Sequence, residues 1–204
     1  MPNRDRKMSG FRRCLLACDV FRSALKYLGV DRPEAPGRIV YLPSHLHLHP
    51  DRLRREMRRC LLSAGSERPF AGCLYGKCFP DIDRVLRPWQ VDRISCAHCY
   101  EILMGRVAYD DLIAAQPGSF FLERTLIEDF DGLCRQPLEL DDPQMRQWYF
   151  EHYRQVVYIR QPRDPDLGEA VRAIADMLSL DRLIVDADYR DLLSYLKRRD
   201  LLEP

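Results

Sequence analysis

Cys14-Leu15-Leu16-Ala17-Cys18 is followed at once by Asp19-Val20 and then by Phe21, Leu25 and Leu28 at helical spacing. A continuous five-residue apolar run reads as a strand buried on both faces. The i, i+4, i+7 pattern over residues 20–28 reads as an amphipathic helix, and Gly29 is its stop signal. A strand feeding directly into a helix is the unit of an α/β fold.

The same alternation recurs along the chain. Apolar or β-branched runs at 38–42, 70–75, 91–96, 155–160 and 182–185 read as strands. Helical patterns fall at 50–64, 80–86, 100–104, 109–116, 143–153, 167–178 and 189–202. Pro50 suits a first helical turn, and Gly65 follows as a stop. Residues 119–122 form a short extended piece, and 123–140 have no readable period. The expectation is a flexible basic segment at 1–11, then one α/β domain over 12–204. Its sheet is mostly parallel, with helices on both faces.

With 204 residues, 46% of them apolar and 31% charged, the chain can bury a full core without staples. A net charge of +1 gives no strong pull toward nucleic acid or anionic lipid. The Arg-rich face of the 50–64 helix is interleaved with Asp51 and Glu56 and reads as solvated. No apolar run approaches the ~20 residues of a membrane span, and the N-terminus lacks a secretory h-region. A cytoplasmic location is expected, with neither nucleic acid nor membrane as partner. In that compartment eight cysteines point to metal ligation, redox chemistry or burial rather than disulfides.

Several of these thiols follow the expected strands. In a parallel sheet, ligands bind beyond the carboxyl ends of the strands. Cys18 ends the first strand, His47 follows the second, and Cys78 follows the third. Cys96-Ala97-His98-Cys99 ends the run at 91–96. All would meet on one rim. Thiolates and imidazoles are natural zinc ligands, and thiolates also hold iron–sulfur clusters. The expected metal ligands are Cys18, Cys78 and Cys99, followed by His47, Cys96 and His98. Cys14, Cys60, Cys73 and Cys134 read as small buried hydrophobes. A redox Cys96-x-x-Cys99 pair at a helix start is an alternative use of the same stretch. Neither a Gly-rich phosphate loop after the first strand nor a Gly-x-Ser-x-Gly elbow is present.

At these residues the chain resembles the domain-of-unknown-function family numbered sixteen-thirty-eight. Ala17-Cys18-Asp19-Val20-Phe21, Leu42-Pro43 and Leu46-His47-x-x-Pro50-x-x-Leu53 carry the likeness, with Leu74-Tyr75-Gly76-x-Cys78. Cys99 six residues before Gly105, Pro117-Gly118-Ser119-Phe120-Phe121-Leu122 and Leu192-Leu193-x-x-Leu196 complete an ordered set. The family's Cys and His positions would fall on Cys18, His47, Cys78 and Cys99. Its members often stand beside corrinoid-dependent methyltransferases, which implies a role in corrinoid or one-carbon metabolism and a corrinoid protein or methyltransferase as partner. The chain departs from the family at Leu74, at Phe79, at Ala97-His98 with Cys96 one residue earlier, and at Arg124-Thr125.

The functional expectation is therefore a metal-binding protein, zinc or iron–sulfur, with its site at the carboxyl ends of the first four strands. A non-catalytic adaptor of a methyltransferase complex is the alternative. The aromatic helix with Trp148, Tyr149, Phe150 and Tyr153 would offer its face, although core packing also accounts for it.

Overall fold

The computed structural model describes residues 13–33, 35, 37–63 and 70–202. The segment at 1–11 and the stop signal at Gly65 lie outside the described residues. Strands β1 (Arg13–Cys18), β2 (Gly37–Leu42) and β3 (Phe70–Leu74) form one parallel sheet in the order β2-β1-β3. Strands β4 (Ser119–Leu122), β5 (Gln155–Arg160) and β6 (Asp181–Asp186) form a second parallel sheet, with β5 at its centre. The α/β character and the parallel pairing agree with the sequence. The strands are divided between two three-stranded sheets.

Central position explains composition. Leu15, Leu16 and Ala17 of β1 are fully buried, as a strand covered on both faces requires. In β5, Val157 and Ile159 join the core around β1, whereas Val156 and Tyr158 join a second core. That period-two alternation lets one strand serve two cores, because successive side chains point to opposite faces.

The helices cover these sheets with their apolar stripes. After a single 3₁₀ turn, α1 (Arg22–Tyr27) buries Ala24 and Leu25, and Gly29 at φ +72° ends it in a conformation open to glycine. Helix α2 (Pro50–Ser63) buries Leu53, Met57 and Leu61, four residues apart on one face. Helix α3 (Ile82–Leu86) is followed by a 3₁₀ turn through Pro88. Helices α4 (Cys99–Met104) and α5 (Arg106–Ala115) meet at Gly105. In the region without a readable period, α6 (Arg124–Glu128) precedes a π-type turn over Asp131–Arg135. Helix α7 (Pro143–Phe150) buries Phe150 against Phe120, edge to face at 5.1 Å, and leaves Trp148 65% exposed. Helix α8 (Gly168–Leu178) buries Val171, Ile174 and Leu178 in the second core, and α9 (Arg190–Lys197) buries Leu192, Tyr195 and Leu196 in the first.

The expected strand at 91–96 is corrected. Only a single parallel bridge, Arg93 to Cys73, joins this segment to β3. Backbone bonds from Cys73 N–H to the Asp92 carbonyl (3.0 Å) and from Ile94 N–H to the Cys73 carbonyl (2.9 Å) begin a ladder. Side chains then take over. The Arg93 guanidinium donates to the carbonyls of Tyr75 (2.9 Å), Ile94 (3.0 Å) and Cys96 (2.9 Å), acceptors that a longer ladder would have engaged differently. Burial is also uneven: Val91, Ile94 and Cys96 are buried, which is not the alternation of a regular strand.

Candidate functional site

Because β1 and β3 run parallel, their carboxyl ends lie at one edge of the sheet. Cys18 is the last residue of β1 and is buried. Cys78 stands in the loop after β3, half-buried. Cys99 is the first residue of α4, also half-buried, and His98 before it is extended at φ −127°, ψ 151°.

Two loops are pressed together to bring these thiols into one place. A Cβ on Gly76 would stand 2.8 Å from the Ala97 carbonyl oxygen, 3.1 Å from the His98 Cα and 3.2 Å from the Cys99 nitrogen. Only glycine permits this approach. The Lys77 N–H donates to the same Ala97 carbonyl at 2.8 Å, and the Ala97 N–H donates to Glu101 Oε2 at 2.8 Å. Glu101, itself buried, is balanced by Arg106 at 3.2 Å. On its other side α4 stacks Tyr100 against Phe121 of β4, centroids 5.6 Å apart. Helix α4 thus sits where the two sheets meet.

The result is a three-thiol cluster with Cys99 at its hub. Cys99 stands close enough to both Cys18 and Cys78 for each to shift its proton affinity. Those two neighbours, Cys18 first, and then burial hold the Cys99 thiol well above its ordinary range. Cys78 moves the other way. The Cys99 side chain lowers it most, with help from the Arg93 guanidinium and the backbone N–H groups of Cys78 and Gly76, against the opposing effect of burial. Of this pair, Cys78 is the thiol that is lowered and Cys99 the one that is raised. Arg93 is fixed for this task by Asp83, which accepts from its Nε at 2.8 Å.

The other expected ligands stand elsewhere. Cys96 is buried with its Sγ bonded to the Tyr75 carbonyl at 3.6 Å, and burial pushes its thiol up to about 12. His47 is exposed in a 3₁₀ turn, its Nδ1 paired with the Ser44 carbonyl at 2.6 Å. His98 is exposed, with its ring 6.5 Å from that of Tyr109. Cys14, Cys73 and Cys134 are core residues, as expected, and Cys60 is half-buried. Among the described residues, no three His, Cys, Asp or Glu side chains form a group already spaced to hold a metal ion. Cys99 interacts with each neighbouring thiol, but the trio does not stand as a preformed cage.

Arg93, Glu101 and Arg106 shape the site and were not singled out by sequence. The two charges, Asp92 and Arg93, that interrupt the run Val91-Asp92-Arg93-Ile94 are the signal that draws attention to Arg93.

Fold and site together define a parallel α/β protein with a cysteine cluster at the carboxyl edge of its first sheet. The chain belongs to the family described as Protein of unknown function (DUF1638), whose family model matches residues 41–196. The match takes in Cys78 and Cys99 and begins after Cys18. No curated protein and no solved structure matches the chain significantly. Among the described residues, no helix is long and apolar enough to cross a membrane.

Proposed function

We propose that this protein binds a soft metal ion, zinc or the iron of an iron–sulfur cluster, through Cys18, Cys78 and Cys99. The observation that carries the reading is the convergence on Cys99 of thiols from two other segments, each near enough to raise its pKa. Tetrahedral Zn–S bonds of ~2.3 Å place ligand sulfurs about 3.8 Å apart. An ion would draw Cys18 and Cys78 together around Cys99, in place of the thiol protons. Thiolate is the binding form, and a Cys78 that ionises early gives the ion its first anionic ligand. A zinc ion with three protein ligands keeps a fourth position for a water or a substrate. Placement in corrinoid or one-carbon metabolism, beside a corrinoid protein or methyltransferase, is carried by the family resemblance. Trp148 is the exposed residue an adaptor role would use.

Elemental analysis of protein purified under anaerobic conditions tests this reading. Stoichiometric zinc or iron that is lost in Cys78→Ala and Cys99→Ala supports it. Metal-free protein that takes up no zinc on titration contradicts it.

A second reading, thiol redox chemistry, is favoured by the lowered Cys78 beside a partner thiol. The pair would be Cys78 and Cys99 rather than Cys96 and Cys99. A small-molecule disulfide would accept two electrons and two protons, leaving as two thiols while a Cys78–Cys99 bond forms. Mapping the disulfide formed with oxidised glutathione decides between the pairs.

A further inference from the structure

A cavity of about 420 Å³ begins at Asp19, one residue after Cys18, and is lined in part by residues that directly follow three strands. Asp19 and Val20 follow β1, Glu123, Arg124 and Thr125 follow β4, and Gln161 follows β5. The carboxyl ends of both sheets therefore open onto one space, where α/β folds bind their ligands. Its volume falls within the ~300–1,000 Å³ of small-molecule sites.

The charges on its walls are not balanced evenly. Arg22 is paired with Asp19 at 2.5 Å, and Arg124 with Glu128 at 2.8 Å. The third acid, Glu123, is buried and already accepts from the backbone N–H groups of Thr125 (2.9 Å) and Leu126 (3.1 Å). Burial raises its carboxyl pKa, which weakens it further as a counter-charge. Two cations are left. Lys26 and Arg163 line the same cavity, and no carboxylate among the described residues lies within ion-pair distance of either. Arg163 instead stands over the Tyr27 ring at 5.7 Å. The Ser23 hydroxyl and the Gln161 amide supply neutral donors around them.

We propose that this cavity binds a small molecule through an oxyanion group, phosphate or carboxylate, held by Lys26 and Arg163. Paired walls with two uncommitted cations attract an anion without trapping it against like charge. Cys18 immediately precedes the cavity residue Asp19, which ties the cavity wall to one of the three thiols through the chain. The inference extends the thiol-site reading by naming the ligand class. It does not need a metal to be present, since the anion's partners are side chains of this chain.

The test is binding to metal-depleted protein, followed by two-dimensional amide NMR with inorganic phosphate and, separately, acetate. The expected result is saturable shifts at residues lining the cavity for at least one anion. Lys26→Gln with Arg163→Gln should weaken that binding by about tenfold or more, the scale of a lost charge-assisted hydrogen bond. Both positions are exposed, so the double variant should fold like the parent. Arg172→Gln, on a helix outside the cavity, should bind as the parent does. Preference for phosphate or for acetate assigns the headgroup. No saturable shift with either anion, or equal binding by the parent and the double variant, overturns the proposal. Neither result bears on metal uptake by the thiols, which is read separately.

Discussion

Gly76 and the Ala97 carbonyl stand so close that a Cβ at position 76 would fall 2.8 Å from the oxygen. This approach sets the position of Cys78 two residues on and of Cys99 two residues beyond Ala97. Gly76→Ala should force the loops apart. The expected loss is about 1–3 kcal/mol of stability in urea unfolding, the range for overpacking against a rigid neighbour. Thiol cross-linking between Cys78 and Cys99 should fall in the same variant. Unchanged stability and unchanged cross-linking would separate the glycine from the site.

Arg93 joins the segment before the site to the loop after β3. Its side chain is only 5% exposed, although Asp83 across from it is mostly open. Arg93→Met should leave three carbonyls short of their charged donor and cost about 2–4 kcal/mol. Arg93→Lys keeps the charge without the planar fork and should recover only part of it. With Arg93→Met, alkylation of Cys78 by iodoacetamide should require higher pH, because the positive charge of Arg93 helps to lower that thiol, and Arg93→Lys, which keeps the charge, should shift it less.

Tyr195 clips the C-terminal helix to the same region. Its hydroxyl accepts from the Cys73 N–H at 2.9 Å and donates to the Asp92 carbonyl at 2.8 Å. Tyr195→Phe should cost about 1 kcal/mol, since Cys73 and Asp92 keep their own backbone bond at 3.0 Å. Hydrogen exchange at Cys73 and Ile94 should quicken in that variant, whereas exchange in β5 should not.

Buried thiols make the fold sensitive to alkali. Burial pushes Cys96 up to about 12 and Cys134 up to about 11. In the unfolded chain these groups ionise near their ordinary thiol values, so above ~9 the unfolded state holds fewer protons than the native state. Stability from both groups is complete below the unfolded pKa and is lost as pH rises toward the folded values. The slope approaches about 1.4 kcal/mol per pH unit for each group. Buried Tyr75, Tyr158 and Tyr195, also raised by burial, add to the fall at still higher pH. Urea unfolding between pH 8 and 11 checks the sign. A stability that rises over that interval would contradict it.

How much of this was legible follows from what each signal encodes. Five strands were readable because their cores are continuous apolar runs, as in Leu15-Leu16-Ala17 and Val156-Val157. The run at 91–96, Val-Asp-Arg-Ile-Ser-Cys, carries two charges among its apolar residues. What decides its state is the Arg93 guanidinium and the Tyr195 hydroxyl, contacts that local periodicity does not carry. Division into two sheets was hidden for a related reason. A parallel strand buried on both faces has no polar side to name its partner. The 123–140 region has no clean period because a short helix there runs into a π-type turn. For the site, strand direction alone brought Cys18 and Cys78 to one edge. The meeting with Cys99 depends on Gly76, which reads in sequence only as one more loop glycine. His47 and His98 share that edge in sequence order, but each is exposed in its own turn or cap.

The central claim is that Cys18, Cys78 and Cys99 act as one ligand set with Cys99 as hub. Titration of the reduced, metal-free protein with cobalt(II), followed by absorption spectroscopy, tests it most directly. Soft thiolate ligands around cobalt give thiolate-to-metal charge-transfer bands and the strong visible bands of a tetrahedral site. The account predicts saturation at a fixed stoichiometry, loss of both bands in Cys99→Ala, and full retention in Cys96→Ala. The absence of charge-transfer bands in the parent protein, or equal loss in the two variants, would contradict it.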